Sequence, residues 1–168
     1  MSVQPPSAFQ PKSISSPNGE IRIGLAIRER LEPYPCGNRL YYSVFFHGKE
    51  IILDSPLGLD FKDMPPLARD LVFAKEDSHT ISETWNPVHG KSRPIVNHYN
   101  ELDLCLEEAN PPERLLELIF RAYNDGVAFR YFLPQQPTVG EFRLISERSE
   151  FHFAANHTVW AAEYGTYI

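Results

Sequence analysis

The sequence is poor in several features that define common classes of protein. Its 168 residues contain only two cysteines and no run close to the roughly 18 apolar residues of a membrane-spanning helix. The N-terminus lacks the charged and apolar regions of a signal peptide, so the chain as given is expected to stay where it is made. Sixteen Lys and Arg residues against 22 Asp and Glu give a net charge of −6, which argues against a nucleic acid partner.

The two cysteines indicate little about redox chemistry. Neither Cys36 nor Cys105 has a neighbouring Cys or His at metal-ligand spacing, so neither predicts a zinc site. Cys105 lies in an apolar run and is expected to behave as a small buried hydrophobe. We expect two unpaired thiols, and one disulfide between them is the alternative that the sequence leaves open.

Local signatures of catalysis are also missing. The chain has no P-loop, dinucleotide glycine fingerprint, HExxH or GxSxG motif. The six histidines include no i,i+2 or i,i+4 pair that would place two imidazoles on one face, so no metal site is predicted. Adjacent acids such as Glu107 and Glu108 are expected to form a solvated face.

The sequence does contain many short apolar or alternating segments that are separated by turns. Residues 1–15 are a Pro/Ser-rich leader, which we expect to be flexible. After a turn at 16–19, apolar residues alternate from Ile21 to Ile27, the period of a half-buried strand. Further strands are predicted at 40–46, 51–53, 57–61, 80–85, 97–106, 141–145 and 150–153.

The segment 115–122 fits two secondary structures. Its apolar residues recur at helical spacing, after the prolines at 111 and 112, and also at alternate positions. The Asp-Gly pair at 125–126 lies between two apolar runs and is the strongest hairpin signal in the chain. We therefore favour a strand that turns back into a second strand at 127–133.

The pattern as a whole predicts an all-β fold, mainly an antiparallel sandwich. Many short strands with frequent turns are typical of that class. The 15 prolines fit connections and sheet edges, whereas they would break long helices. We assign residues 16–168 to one sandwich domain.

Two neighbouring segments, 83–90 and 97–101, contain side chains that packing explains least well. Trp85 can stack on the apolar face of a sugar ring, and the polar groups of His98, Asn100 and Glu101 can hydrogen-bond to hydroxyls. We take these four residues as candidate contacts to a carbohydrate or to a neighbouring domain. The alternative is a loop held by its own side chains, with Trp85 as a hydrophobic plug.

Seven stretches of the chain, taken in order, resemble one family. The most specific of them is the string Tyr-Asn-Asp-Gly-Val-Ala-Phe-Arg-Tyr at 123–131. The seven stretches lie at 16–21, 42–44, 55–59, 83–90, 97–102, 120–131 and 157–160. From about Ser16 to its end the chain resembles the N-terminal domain of glycoside hydrolase family 97, a family of bacterial α-glucosidases and α-galactosidases.

The resemblance implies a fold and a set of partners. The fold is a β-super-sandwich related to galactose-mutarotase-like proteins, incomplete here at the C-terminus. The implied partners are a catalytic (β/α)₈ barrel and an α-linked oligosaccharide, and calcium serves the full-length enzyme, which is usually periplasmic or secreted. The two catalytic carboxylates belong to the barrel and the sandwich's calcium ligand lies beyond Ile168, so no catalytic or metal-binding residue is assigned in this chain.

Two departures from the family pattern bear on these expectations. A Pro/Ser leader stands where relatives carry a secretory signal. His89, Gly90 and Lys91 stand where relatives commonly have a second Trp followed by Gly-Glu, which weakens the case for a sugar contact in this loop.

Three functions remain as hypotheses. The first is a non-catalytic sandwich that supports the barrel and lends a rim to the sugar cleft, inactive on its own. The second is a freestanding carbohydrate-binding module with Trp85, His98 and Asn100 as its platform. The third is a small mutarotase-like enzyme, which needs a His and a Glu in one cleft.

Overall fold

Antiparallel strands make up the regular secondary structure of the residues that the computed structural model describes, which are 10–30, 33–90 and 94–160. These ranges contain no helix, and therefore none that could cross a membrane. The eleven strands are β1 Lys12–Ser15, β2 Ile21–Glu29, β3 Asn38–Phe46, β4 Lys49–Pro56, β5 Leu59–Phe61, β6 Leu71–Trp85, β7 Ile95–Glu108, β8 Leu115–Tyr123, β9 Val127–Phe132, β10 Leu144–Glu147 and β11 His152–Phe153.

The strands form two main sheets and one short pair. The first sheet has five strands in the order β1-β2-β3-β4-β11, the second has four in the order β6-β7-β8-β9, and β10 pairs with β5. Every pairing is antiparallel. Apolar side chains of both main sheets share one buried cluster, so the predicted antiparallel sandwich is confirmed.

Alternation along the strands builds this core. On β2, every second residue from Ile21 to Ile27 is buried, while the residues between them are partly or fully exposed. Leu102, Leu104 and Leu106 on β7 contribute in the same way from the second sheet. Each fully buried side chain of this size stabilises the fold by about 1.5–3 kcal/mol relative to an exposed one.

The segment 115–122, whose pattern fits both a helix and a strand, forms the strand β8, as we predicted. β8 pairs with β7 on one side and with β9 on the other, so its backbone groups are satisfied within the sheet. The predicted hairpin follows it, and the Tyr123 amide donates to the Gly126 carbonyl at 2.8 Å. The alternate apolar residues of β8 are buried in the core: Leu116, Leu118, Phe120 and Ala122.

The predicted leader is wrong at its C-terminal end, because Lys12–Ser15 form β1. This strand pairs with β2 through the register of Ile14 with Ile23, and the side chain of Ile14 is buried. Pairing with β2, the burial of Ile14 and the hydrogen bond from the Asn100 amide to the Ser15 carbonyl hold this short strand on the sheet edge. Residues 1–9 lie outside the described residues, so the expected flexibility there stays a prediction.

The polar hairpin in the middle of the chain is longer than predicted. The strand expected at 80–85 is the end of β6, which begins earlier, at Leu71, and the strand expected at 97–106 lies within β7, which is longer at both ends. Residues 74–80 are all exposed on an edge strand, so they show no apolar alternation for a sequence pattern to detect. The strand expected at 141–145 lies slightly later, at Leu144–Glu147.

Both cysteines are free thiols, as expected, and the bridged alternative is wrong. Cys36 is exposed in the connection from β2 to β3, whereas Cys105 is partly exposed on β7. The expectation that Cys105 is a fully buried hydrophobe is therefore only partly met, because it lies on the face of β7 that points away from the core.

Candidate functional site

The long hairpin of β6 and β7 extends beyond the rest of its sheet. Pairing between β7 and β8 runs as far as Tyr99 with Tyr123, whereas pairing between β6 and β7 continues to Trp85 with Ile95. In the described part of the chain, residues 95–98 have β6 as their only strand partner. We call the two-stranded segment of residues 82–85 and 95–98 the arm.

The arm carries apolar side chains that are exposed to solvent. Trp85 is 46% exposed and Val96, on the opposite face of the ribbon, is 64% exposed. The arm also carries polar side chains. The Asn97 amide donates a hydrogen bond to a carboxylate oxygen of Glu83 at 2.6 Å, which links the two strands. Two-stranded ribbons are only marginally stable alone, so an arm with apolar groups on both faces is typical of an element that packs against another body.

The four residues predicted from the sequence do not form one site. Trp85 and Glu101 lie on the outer face of the hairpin, whereas His98 and Asn100 lie on the face that continues into the core side. Ile95, the cross-strand partner of Trp85, is six residues from Glu101, a separation of about 20 Å along a strand. The register of the sheet, rather than closeness in sequence, therefore decides which of these side chains meet.

Asn100 has a structural partner on each side of its amide. Its Oδ1 accepts a hydrogen bond from the Thr80 hydroxyl at 2.6 Å, and its Nδ2 donates to the Ser15 carbonyl at 2.8 Å. The second bond joins β7 to β1, which belongs to the other sheet. The side chain thus links the two sheets at the base of the arm.

Glu101 is 7% exposed and lies between the guanidinium of Arg121 and the imidazole of His79. One carboxylate oxygen accepts a hydrogen bond from Arg121 Nε, and the other lies 2.9 Å from His79 Nε2. The guanidinium of Arg121 also lies over the ring of Tyr99, 4.5 Å from its centroid. Burial acts to lower the pKa of Arg121, but the hydrogen bond to Glu101 raises it above its ordinary value, so the guanidinium is charged at neutral pH.

Asp103 is two residues further along the same face of β7. Ligand atoms of His79, Glu101 and Asp103 all lie within 4.8 Å of one another. Asp103 Oδ1 is buried and has no hydrogen-bond partner among the described residues. Burial, followed by the charge of Glu101, raises the pKa of the Asp103 carboxyl.

Sequence reasoning missed His79 and Asp103. The signal was available only through the register, which pairs His79 with Glu101 and Asp77 with Asp103 across the hairpin. Local spacing tests compare residues on one strand or helix, so they do not find a donor set that is assembled from two strands.

Comparisons with known proteins agree with the fold. The profile of the family Glycosyl-hydrolase 97 N-terminal matches residues 14–167. A retaining alpha-galactosidase of Bacteroides thetaiotaomicron is 24% identical over 146 residues, which are 87% of this chain and 19% of that protein. A family 97 glycoside hydrolase of a Pseudoalteromonas species, solved in complex with acarbose, is 26% identical with a TM-score of 0.77, over 88% of this chain and 21% of that one.

A fourth comparison extends the likeness of fold. The crystal structure of a beta-arabinopyranosidase has a TM-score of 0.70 at 24% identity and covers 84% of this chain and 21% of that one. The chain therefore spans about a fifth of the length of these relatives. Because the family profile covers nearly all of the sequence and the two-sheet sandwich accompanies it, the chain belongs to the N-terminal domains of glycoside hydrolase family 97.

Proposed function

We propose that this chain is the non-catalytic N-terminal sandwich of an α-glycoside hydrolase, where it supports a catalytic (β/α)₈ barrel beside the cleft for an α-linked oligosaccharide. The relatives to which it is similar are enzymes about five times its length, one of them a retaining alpha-galactosidase. The catalytic carboxylates and the calcium ion of the family then belong to the remainder of the enzyme, and the chain alone has no turnover.

The arm is the observation that carries this proposal. It projects past β8, and its exposed apolar groups, Trp85 and Val96, lie on both of its faces. A barrel that packed against the arm would cover these apolar groups. It would also supply the packing that a two-stranded ribbon needs in order to be stable. Trp85 is thus the foremost contact residue, and His98, which is exposed on the other face, is the next.

The freestanding module receives less support from the described residues. Its platform required Trp85 to act together with His98 and Asn100, but these lie on opposite faces and the Asn100 amide is already bonded to Thr80 and Ser15. The mutarotase-like enzyme fares no better, because both oxygens of Glu101 are engaged by Arg121 and His79.

The test uses the complete enzyme that contains this chain. Trp85→Ala should lower its melting temperature and raise the KM for aryl α-glycosides, because the arm loses its main apolar contact with the barrel. Phe46→Ala is the matched control, since Phe46 is 42% exposed, close to the value for Trp85, and lies on β3, outside the arm. Equal effects of the two substitutions would contradict the role of the arm, and hydrolysis of aryl α-glycosides by the purified 168-residue chain would contradict the non-catalytic assignment.

A further inference from the structure

We propose that His79, Glu101 and Asp103 bind a divalent transition-metal ion, Zn²⁺ in the first place, on the outer face of the four-stranded sheet. This site is separate from the arm and does not depend on the proposed function. Its donor set also differs from the one that Ca²⁺ prefers, because Ca²⁺ takes oxygen ligands, whereas an imidazole combined with carboxylates suits Zn²⁺.

The register of β6 and β7 assembles the donor set. His79 is directly opposite Glu101, and Asp103 follows Glu101 by two residues, so all three side chains leave the same face of the hairpin. The His79 Nε2 and Glu101 Oε1 atoms are 2.9 Å apart, and the third ligand atom lies within 4.8 Å of both. Three protein ligands with a remaining position for water is a common arrangement for zinc.

A second observation concerns the third donor, Asp103, whose side chain is partly buried. Asp103 Oδ1 is buried without a hydrogen-bond partner in the described part of the chain, and a buried polar atom left in this state is costly unless water or an ion satisfies it. A metal ion between Asp103 and His79 would satisfy that oxygen and offset the repulsion from Glu101. Asp77, the cross-strand partner of Asp103, adds a further acidic side chain beside the site.

Arg121 acts as a positioning residue for this site. It holds one oxygen of Glu101 and leaves the other oxygen directed toward His79. Groups that orient a ligating carboxylate in this way tune metal affinity. Arg121 is bonded to Glu101 and Arg130 acts on Asp103, and both positive charges oppose the binding of a cation, so the affinity depends on the three ligands closing together.

Binding requires a small local rearrangement. Zinc bonds of about 2.0–2.2 Å place tetrahedral ligand atoms about 3.4 Å apart, so atoms that lie within 4.8 Å of one another would close by at most about 1.4 Å. His79 and Glu101 must also exchange their mutual hydrogen bond for bonds to the metal. The side chain of His79 is 40% exposed, which leaves it free to rotate.

The experiment measures Zn²⁺ binding to the purified, metal-free chain. Calorimetric titration should give one saturable site, and excess Zn²⁺ should raise the melting temperature, because a ligand that binds only the native state stabilises it. His79→Gln and Asp103→Asn should each lower the affinity at least about tenfold. Replacing Zn²⁺ with Co²⁺ should give a visible absorption band that both substitutions remove.

Two controls keep the result interpretable. His98→Gln removes an exposed histidine from the other face of the same hairpin, and Cys36→Ser removes the exposed thiol, so both should bind Zn²⁺ like the unmodified chain. Circular dichroism establishes that each variant is folded. The proposal is overturned if the unmodified chain shows no saturable binding, or if His79→Gln and Asp103→Asn both bind as tightly as the unmodified chain.

Discussion

Individual charged side chains held within the sheets are the most sensitive points of this sandwich, and the partly buried Asp103 is the first of them. Its pKa is raised by burial and by Glu101, so the ionised form is disfavoured in the folded chain. Stability from this group is therefore lost as pH rises through the folded pKa and is regained as pH falls toward the unfolded value of about 3.9. In metal-free buffer, Asp103→Asn should raise the melting temperature near pH 7.

The measurement is a series of thermal melts between about pH 4 and pH 7. The advantage of Asp103→Asn should shrink as pH falls, because the unmodified carboxyl becomes neutral as well. If Asp103→Asn is less stable than the unmodified chain at pH 7, the ionised carboxylate does not destabilise the fold and the prediction is wrong.

Arg114 is the second buried charge, with 1% of its surface exposed. Its guanidinium bonds both oxygens of Glu108, at 2.6 and 2.8 Å, and the carbonyl of Pro65 at 2.8 Å. Arg114→Ala should cost about 3–5 kcal/mol in unfolding free energy, because Glu108 would lose its bidentate partner. Denaturant unfolding measures this loss.

The control for Arg114 is an exposed ion pair. Arg69 Nε lies 3.8 Å from a carboxylate oxygen of Asp70, and the two side chains are 59% and 41% exposed. Arg69→Ala should change the unfolding free energy by less than about 1 kcal/mol. Similar losses in both variants would mean that burial does not govern the value of these pairs.

At the level of strands, the close approach of Gly58 to the segment after β5 constrains the sequence. A Cβ at this position would lie 2.4 Å from the Cβ of Ala68, which is itself buried. Gly58 also accepts a hydrogen bond from the Arg148 amide and donates one to the Tyr131 hydroxyl, so its backbone has little room to move. Gly58→Ala should cost about 1–3 kcal/mol in unfolding free energy.

Gly126→Ala is the matched control for Gly58, since a Cβ there would meet nothing within 4 Å. Denaturant melts of the two variants should therefore differ clearly. Equal stability would indicate that the β5 connection shifts to admit a methyl group.

The strands differ in how well the sequence predicts them. β2, β8 and β9 follow from alternation and turn residues, because one face of each packs against the core. β6 is hidden over 74–80, where every residue is exposed, and β1 is hidden because one apolar residue, Ile14, anchors it. Pairing energy from a neighbouring strand holds both, and that energy leaves no local pattern in the sequence.

In the candidate site, too, the sequence predicts some features, and strand pairing decides the others. The sequence placed the candidate residues on this hairpin, but the face on which each side chain lies depends on a register with a shift between Phe73 and Lys75. A one-residue change of register moves every side chain to the other face. For this reason Glu101 could be named in advance, while its contacts with His79 and Arg121 could not.

For the molecule as a whole, exposed apolar surface is concentrated in the last described segment. Phe142, Leu144, Ile145, Phe151 and Phe153 all expose large apolar areas. We expect the isolated chain to self-associate as its concentration rises, because such surface is normally covered. Sedimentation velocity over a range of concentrations measures this.

Substitutions on this apolar surface test whether it causes the self-association. Ile145→Lys, at a position that is 65% exposed, should weaken self-association without changing the melting temperature. Gln135→Lys adds the same charge at an exposed polar position and should have little effect. If both lysines weaken association equally, net charge rather than apolar contact drives it.

The pairing of β11 with β4 sets the order of events during synthesis. His152 pairs with Leu53, and β11 forms an edge of the first sheet. A ribosome adds about 5–20 residues per second, so about 5–20 s pass between the emergence of the two partners. During that interval the outer edge of β4 has no strand partner, so its unpaired backbone N–H and C=O groups are open to pairing with another polypeptide.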